Sequence, residues 1–420
     1  MERDANGRFD DAFEVGERIG AGGLGTVHAC RARGNVNAKI PRGMPLVVKT
    51  VRVRLDAGGC VRANVPTSGR VDAEIRALRR LDACAERDSN AASAMFPSLV
   101  AAFSGRHVEK RSPEDAARNV TSSAARVVMT NPVGASSCDL LRLRAEARER
   151  RGDENAQFPE SEARFYAAQI VVALRYLHAR ARLAHGDVKP ENVLVRRGTG
   201  AVALCDFDLA RSLTQQKSEA LRNADDAKDD GVRATESAAE GTASRATPRS
   251  VVGTPEYVAP ETARGAVAGA TAQTDWYQLG VFAFELVFGT TPFAAPFGVV
   301  SMTLRAVEAN DLRFFDALFA AAATTDTSGV SENAENRKRK RKRKETSHTA
   351  ASVPFLRFTR ALLEGDPESR LGDADVRRAE FFACVDWEAL ERGERGIAGR
   401  AARARGARED WILFLSEENS

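Results

Sequence analysis

"HGDVKPENVLV", residues 185 to 195, is the stretch from which the rest of the chain can be read. Asp187, Lys189 and Asn192 stand two and then three residues apart. A carboxylate in that setting accepts a hydroxyl proton, a Lys beside it neutralises charge on a phosphate in transfer, and an amide oxygen binds a metal ion. Downstream, "AVALC" (201 to 205) has the character of a buried strand, and "DFD" follows it, so that Asp206 offers a carboxylate to the same metal. Each piece alone fits a polar turn. Their order along one chain points to phosphoryl-transfer chemistry.

Upstream residues complete that reading. "GAGGLGTV" (20 to 27) sets Gly20, Gly22 and Gly25 in the spacing GxGxxG, with Ala21, Gly23, Leu24 and Thr26 between and after them. Glycines here let backbone N–H groups approach phosphate oxygens without a Cβ in the way. With 32 Gly in the chain, chance matches arise easily and an ordinary hairpin looks the same. The following "TVHACRA" is β-branched and alternating, which favours strand–loop–strand over the strand–loop–helix of a dinucleotide fold. Lys49 closes the apolar run "PLVVK", where an ammonium reaches nucleotide phosphates, and Glu74 in the next helical segment is placed to hold it as an ion pair.

A chain of 420 residues with 43% hydrophobic content can bury a sizeable core. The start, "MERDANGRFD", lacks an apolar leader segment, and the longest apolar run, "LGVFAFELVFG", is too short for a bilayer and carries Glu285. The expectation is a soluble intracellular protein of the cytoplasm, the nucleus or both. Six scattered Cys with no CxxC pair argue against zinc or a disulfide framework. The net charge of +4 is local: "RKRKRKRK" (337 to 344) holds eight of the 62 Lys and Arg, and the remainder is outnumbered by 58 Asp and Glu. A general nucleic-acid binder is excluded on that balance. The tract, without interleaved aromatics, suits import machinery or an anionic surface, or simply a solvated loop.

Residues 13 to 55 read as three strands joined by turns, "VDAEIRALRRLDACAE" (71 to 86) as a helix, and "LVAAF" and "ARVVMT" as two further strands around a polar insert at about 104 to 125. After residue 135 the periodicity is mostly helical. Segments 212 to 249 and 322 to 350 are too polar to order themselves and are expected to be flexible.

Taken together these residues resemble the eukaryotic protein kinases, from about Phe13 to Trp387. "GTPEYVAPE" (253 to 261), "DWYQLGVFAFEL" (275 to 286), "GTTPF" (289 to 293) and "DPESRLG" (366 to 372) carry the resemblance further. The last of these, with "FFACVDWEAL" after it, is similar to the AGC group, and "DFD" with a long insert before "APE" is similar to the plant and algal class VIII enzymes, phototropin kinase domains among them. The resemblance implies an α+β, two-lobed fold: a tail at 1 to 12, a kinase domain at 13 to 382, and a short C-terminal tail at 383 to 420. Within the domain, an antiparallel sheet plus one main helix form the small lobe (13 to 129), and a mainly helical large lobe spans 135 to 382.

The resemblance also implies ATP and Mg²⁺, with Ser/Thr of proteins as acceptors. Adenine would lie between Ile19, Val27 and Val48 above and Leu194 below, with Met129 as gatekeeper; Lys49 would hold the phosphates, and Asn192 and Asp206 the metal. Thr254 of "GTPEY" marks a Ser/Thr enzyme, and Glu191 and Glu285 would bind basic residues upstream of the acceptor, joined by Asp139 if "NPVGASSC" (131 to 138) holds a small insertion. Thr130 stands where the family's hinge usually carries an acid, and three further features depart from the family. Asp208 replaces a Gly. "WILF" (411 to 414) comes early for a hydrophobic tail motif. Gly186 replaces the Arg that pairs with an activation-loop phosphate, here expected on Ser250 after an upstream kinase has acted. Because the phosphate- and metal-handling residues are all present, an active enzyme is the preferred reading over an inactive kinase-fold scaffold.

Overall fold

The computed structural model describes residues 2–3, 8–21, 25–36, 40–52, 66–87, 90–107, 122–134, 137–152, 157–214, 253–267, 269–326 and 351–393. Gly22, Gly23, Leu24, Ser250, the tract 337 to 344 and "WILF" lie outside the described residues, as do most of the two segments expected to be flexible.

Six strands form the small-lobe sheet: β1 (Glu2–Arg3), β2 (Phe13–Ala21), β3 (Gly25–Ala32), β4 (Pro45–Arg52), β5 (Leu99–His107) and β6 (Ser122–Thr130). Their spatial order is β1-β5-β6-β4-β3-β2, antiparallel except for the β1–β5 pair. The period of two divides the sheet into two faces. Val47, Lys49 and Val51 of β4 share one face with Val127 and Met129; Leu46 and Val48 share the other with Val128 and Cys30. Helix α1 (Arg8–Ala12) covers this second face, and its Phe9, fully buried, packs with Phe13 and Phe103 beneath the Arg126 guanidinium. The expectation of a tail over residues 1 to 12 therefore fails for 8 to 12, because one aromatic ring with a cavity to fill is enough to order a short segment.

Helix α2 (Pro66–Ala85) lies against the first face through Val71, Ile75, Leu78 and Leu81, spaced as one helical stripe. In the large lobe come α3 (Leu140–Arg151), α4 (Glu160–Tyr176), α5 (Pro260–Ala263), α6 (Ala272–Phe288), α7 (Val300–Ala309), α8 (Phe314–Asp326), α9 (Val353–Leu362), α10 (Asp373–Val376) and α11 (Trp387–Glu391). Short strands β7 (Ser137–Asp139), β9 (Val193–Arg196) and β10 (Val202–Leu204) pair beneath the cleft, and β8 (Leu183–Ala184) pairs with β11 (Arg211–Ser212). Helix α6 is buried nearly all round, the signature of a helix at the centre of a lobe. Thr271 and Thr274 form its capping box, and Gly289 ends it in a left-handed cap.

Three boundaries differ from the sequence expectation. Strands β5 and β6 reach into the polar insert as far as His107 and from Ser122, because the ladder between them pairs the backbone groups of this polar stretch. Helix α8 continues to Asp326, with Ala322 buried, so order extends past residue 322. In the expected C-terminal tail, α11 packs on the core, where the Trp387 indole donates to the Arg377 carbonyl at 3.2 Å and meets Phe382 edge-on. No helix among the described residues is long and apolar enough to cross a membrane.

Candidate active site

Two elements from opposite lobes meet at Lys49. Its Nζ lies 3.0 Å from Glu74 Oε2 and 2.6 Å from Asp206 Oδ1, so α2, β4 and the turn after β10 are tied together by one ammonium. Burial opposes the charge on Lys49, but Glu74, Asp206 and Asp208 outweigh it and hold its pKa above the usual lysine value. Burial pushes the Glu74 carboxyl up to about 7, with Lys49 pulling the other way. For Asp206 burial is again the opposing effect, and Lys49 wins, keeping the carboxylate ionised. Asp206 has φ +67°, a left-handed conformation that costs energy in any residue but Gly and that Asp tolerates better than most.

The catalytic loop hangs from α6. Asp275, fully buried in the first turn of that helix, accepts hydrogen bonds from the backbone N–H of His185 and of Gly186, both at 2.8 Å, and lies 2.7 Å from His178 Nε2. Gln278, one turn on, accepts from the Val188 N–H and donates to the Gly186 carbonyl. A π-helical turn at Leu177–Ala181 and left-handed Arg182 bring His178 to this place. Gly186 has φ +85°, and a Cβ there would stand 2.6 Å from the Ala270 Cβ and 3.1 Å from the Leu209 carbonyl oxygen. A side chain at 186 thus requires both strained backbone and movement of Ala270.

On this support, Asp187 Oδ2 lies 2.7 Å from Lys189 Nζ, and Lys189 donates to Thr254 Oγ1 at 2.6 Å. Asn192 donates through Nδ2 to the Asp187 carbonyl at 2.8 Å and to its carboxylate at 2.9 Å. With its nitrogen committed, Asn192 presents Oδ1 without a hydrogen-bond partner among the described residues, and so does Asp206 at Oδ2. Two hard oxygens left uncommitted at one site fit Mg²⁺, which prefers carboxylate and amide oxygen over nitrogen or sulfur. Of the glycine-rich segment, Gly20 and Ala21 end β2, and Gly25, Thr26 and Val27 begin β3. Gly25 is required by packing as well: a Cβ would meet the Thr50 carbonyl oxygen at 2.1 Å.

Ile19 is about half exposed on β2, Val27 pairs with Lys49 across the ladder, Met129 is buried on the same face, and Leu194 of β9 is half-buried below. Val48 is a correction. It is wholly buried on the opposite face of the sheet, against α1, because residues adjacent in a strand point to opposite sides. Val47, two residues before Lys49, takes its place on the cleft side, and strand alternation alone would have found it.

The expected substrate carboxylates differ from each other. Glu191 is exposed. Glu285 is already held by Arg144, 3.1 Å from Oε1, and by the Tyr257 hydroxyl, and Asp139 caps α3 by accepting from the Arg142 N–H at 2.8 Å. Below the activation segment, Arg370 binds Glu261 through both nitrogens, at 2.7 and 2.8 Å, with both side chains buried. Sequence reasoning missed Asp275, Gln278, Arg370 and Arg70, whose roles are contacts across long separations. Cys205, in front of Asp206, donates Sγ–H to the Asn192 carbonyl at 3.3 Å, and burial raises its pKa far above that of a free thiol.

The protein kinase domain family matches residues 127–382. Among curated relatives, rice (Oryza sativa subsp. japonica) protein kinase PINOID is 33% identical over 330 residues, covering 72% of this chain and 56% of the relative. Serine/threonine-protein kinase WAG1 of Arabidopsis thaliana is 33% identical over 258 residues, covering 56% of this chain and 47% of the relative. Phototropin-2 of rice is 31% identical over 236 residues, covering 55% and 22%. The chain thus spans about half the length of the first two. A family match over more than half the chain, taking in the elements that carry Asp187, Asn192 and Asp206, makes the chain a member of the protein kinase family.

Proposed function

We propose that the chain is a serine/threonine protein kinase of the AGC type, moving the γ-phosphoryl group of ATP to protein hydroxyls. The observation that carries the reading is Lys49, 3.0 Å from Glu74 and 2.6 Å from Asp206, because that bridge assembles the phosphate-binding and metal-binding residues in one place. The names of the relatives, among them a serine/threonine-protein kinase, support the acceptor class.

In this reading Asp187 accepts the proton of the substrate hydroxyl as its oxygen bonds to phosphorus and the bridging bond to ADP breaks. Lys189, between Asp187 and Thr254, places a cation beside the moving phosphoryl group. Asn192 orients Asp187 through Nδ2 and, with Asp206, would hold Mg²⁺, which supplies charge neutralisation on the phosphates. Val27 and Val47 above and Leu194 below would wall the adenine from water.

Basophilic selectivity through Glu191 and Glu285, regulation by an upstream kinase at Ser250, an intracellular location in cytoplasm or nucleus, and charge-based partners for tract 337 to 344 complete the proposal. Incubation with Mg-ATP and a degenerate Ser/Thr peptide library tests activity, acceptor and preference together. Enrichment of Arg or Lys before the acceptor is expected. Equal activity of wild type and Asp187→Asn would overturn the enzyme reading.

A further inference from the structure

Glu74 has a companion on its own helix. Arg70 stands four residues earlier, one turn away on the same face of α2. Its Nη2 lies 3.3 Å from Asp208 Oδ1 and 3.2 Å from Oδ2. The turn 206–208 is thus tied to α2 at both ends, through Lys49 to Glu74 at one acid and directly to Arg70 at the other. Between the two acids, Phe207 is wholly buried against Phe96 and His185, so the turn cannot slide without disturbing the core. Asp208 is itself only 5% exposed. A buried carboxylate cannot fall back on water when its countercharge leaves, so this contact resists breaking in a way that a surface pair does not.

Residue 186, which lines the same cavity, offers the turn no side-chain tie. Gly186 carries no side chain, and beside it lies a cavity of about 280 Å³ whose lining includes Arg70, Gly186, Asp208, Arg211 and Ala270. Neither the backbone at 186 nor Ala270 leaves ready room for a longer residue. We propose that Arg70 and Asp208 are positioning residues which lock α2 against the metal-binding turn, so that the Lys49–Glu74 pair is assembled by an internal ion pair in place of a cation at position 186. The proposal deepens the kinase reading and rests on it. It assigns a task to the Asp that departs from the family at 208.

The test uses the full chain with Mg-ATP and a synthetic Ser peptide carrying upstream Arg. Arg70→Met and Asp208→Asn should each lower kcat by roughly tenfold to a hundredfold, the scale of a displaced catalytic group. The peptide KM should stay within about twofold, since neither residue touches the peptide. Arg70→Lys should recover most of the rate, and the double variant should be no worse than either single one. Hydrogen exchange across residues 71 to 85 should quicken in Arg70→Met and Asp208→Asn at temperatures where both stay folded, whether or not phosphoryl transfer is detected. Unchanged α2 exchange, multiplying effects in the double variant, or an Arg70→Lys as impaired as Arg70→Met would each overturn the proposal. A wild type no more active than Asp187→Asn would instead overturn the kinase reading, and the exchange result would then judge the lock alone.

Discussion

Replacing Asp275 by Asn tests whether the catalytic loop is suspended from α6. The carboxylate receives two backbone N–H groups at 2.8 Å and has His178 Nε2 at 2.7 Å, in a place with no solvent exposure. An Asn has one oxygen. If that oxygen keeps the His185 and His178 contacts, its NH₂ group faces the Gly186 N–H, donor against donor. The loss is one charge-assisted hydrogen bond, about 1.5–3 kcal/mol, plus a buried donor left unsatisfied, about 1–3 kcal/mol. A total near 4 kcal/mol corresponds to a fall in Tm of roughly 10 °C for a domain of this size. Gly186 adjoins Asp187, so the proposed general base moves with the loop, and kcat should fall by roughly a hundredfold even at temperatures where the variant is folded. Thermal denaturation followed by circular dichroism, with steady-state phosphoryl transfer alongside, gives both numbers. A Tm within about 2 °C of wild type together with kcat within about twofold would refute the reasoning.

Other outcomes follow from the same geometry. Lys49→Met should lower kcat/KM by roughly three orders of magnitude or more, because it breaks the bridge to Glu74 and Asp206 at once; radiolabel transfer to peptide would show it. Arg370→Met should cost about 3–5 kcal/mol by leaving Glu261 buried and unpaired, and adding Glu261→Gln should restore a large part of it, a pattern readable from urea midpoints. His185 is fully buried and burial depresses its pKa below 6.5, so the unfolded chain takes the proton first; its contribution to stability is complete above pH 6.5 and is lost as pH falls below it. The difference in Tm between His185→Gln and wild type should therefore shrink on acidification, whereas a constant difference would contradict the assignment. Cys205 is half-buried like Cys84 and Cys384, but desolvation raises its pKa and its thiol donates to the Asn192 carbonyl, so it should react with iodoacetamide at neutral pH more slowly than either; mass spectrometry showing Cys205 labelled first would count against it.

Local chemistry is what a sequence displays, and it displayed much here. The spacing of Asp187, Lys189 and Asn192 follows from a loop whose residues act together, so their proximity could be read before any fold was known. Strand alternation around Lys49 and the helical stripe of α2 follow from the periods of two and 3.6 residues. Where that alternation was not carried through, at Val48, the sequence still held the answer, since the neighbour of an inward residue must point outward. Phe9 is different. Whether a lone aromatic in a polar segment orders it depends on a cavity between Phe13 and Phe103, whose positions are set by strands far along the chain.

Only the tertiary structure decided the long-range partners. Asp275 meets Gly186 across 89 residues, Arg370 meets Glu261 across 109, and Arg70 meets Asp208 across 138. Nothing in the composition or period of any of those segments marks the pairs. A charged side chain reveals its partner only when burial removes water as the alternative, and burial is a property of the packed whole. The sequence by itself determined which groups are available for phosphoryl transfer. The packing of α2 and α6 against the cleft determined which carboxylates stay open and which, like Asp275, Asp208 and Glu261, are committed to internal partners.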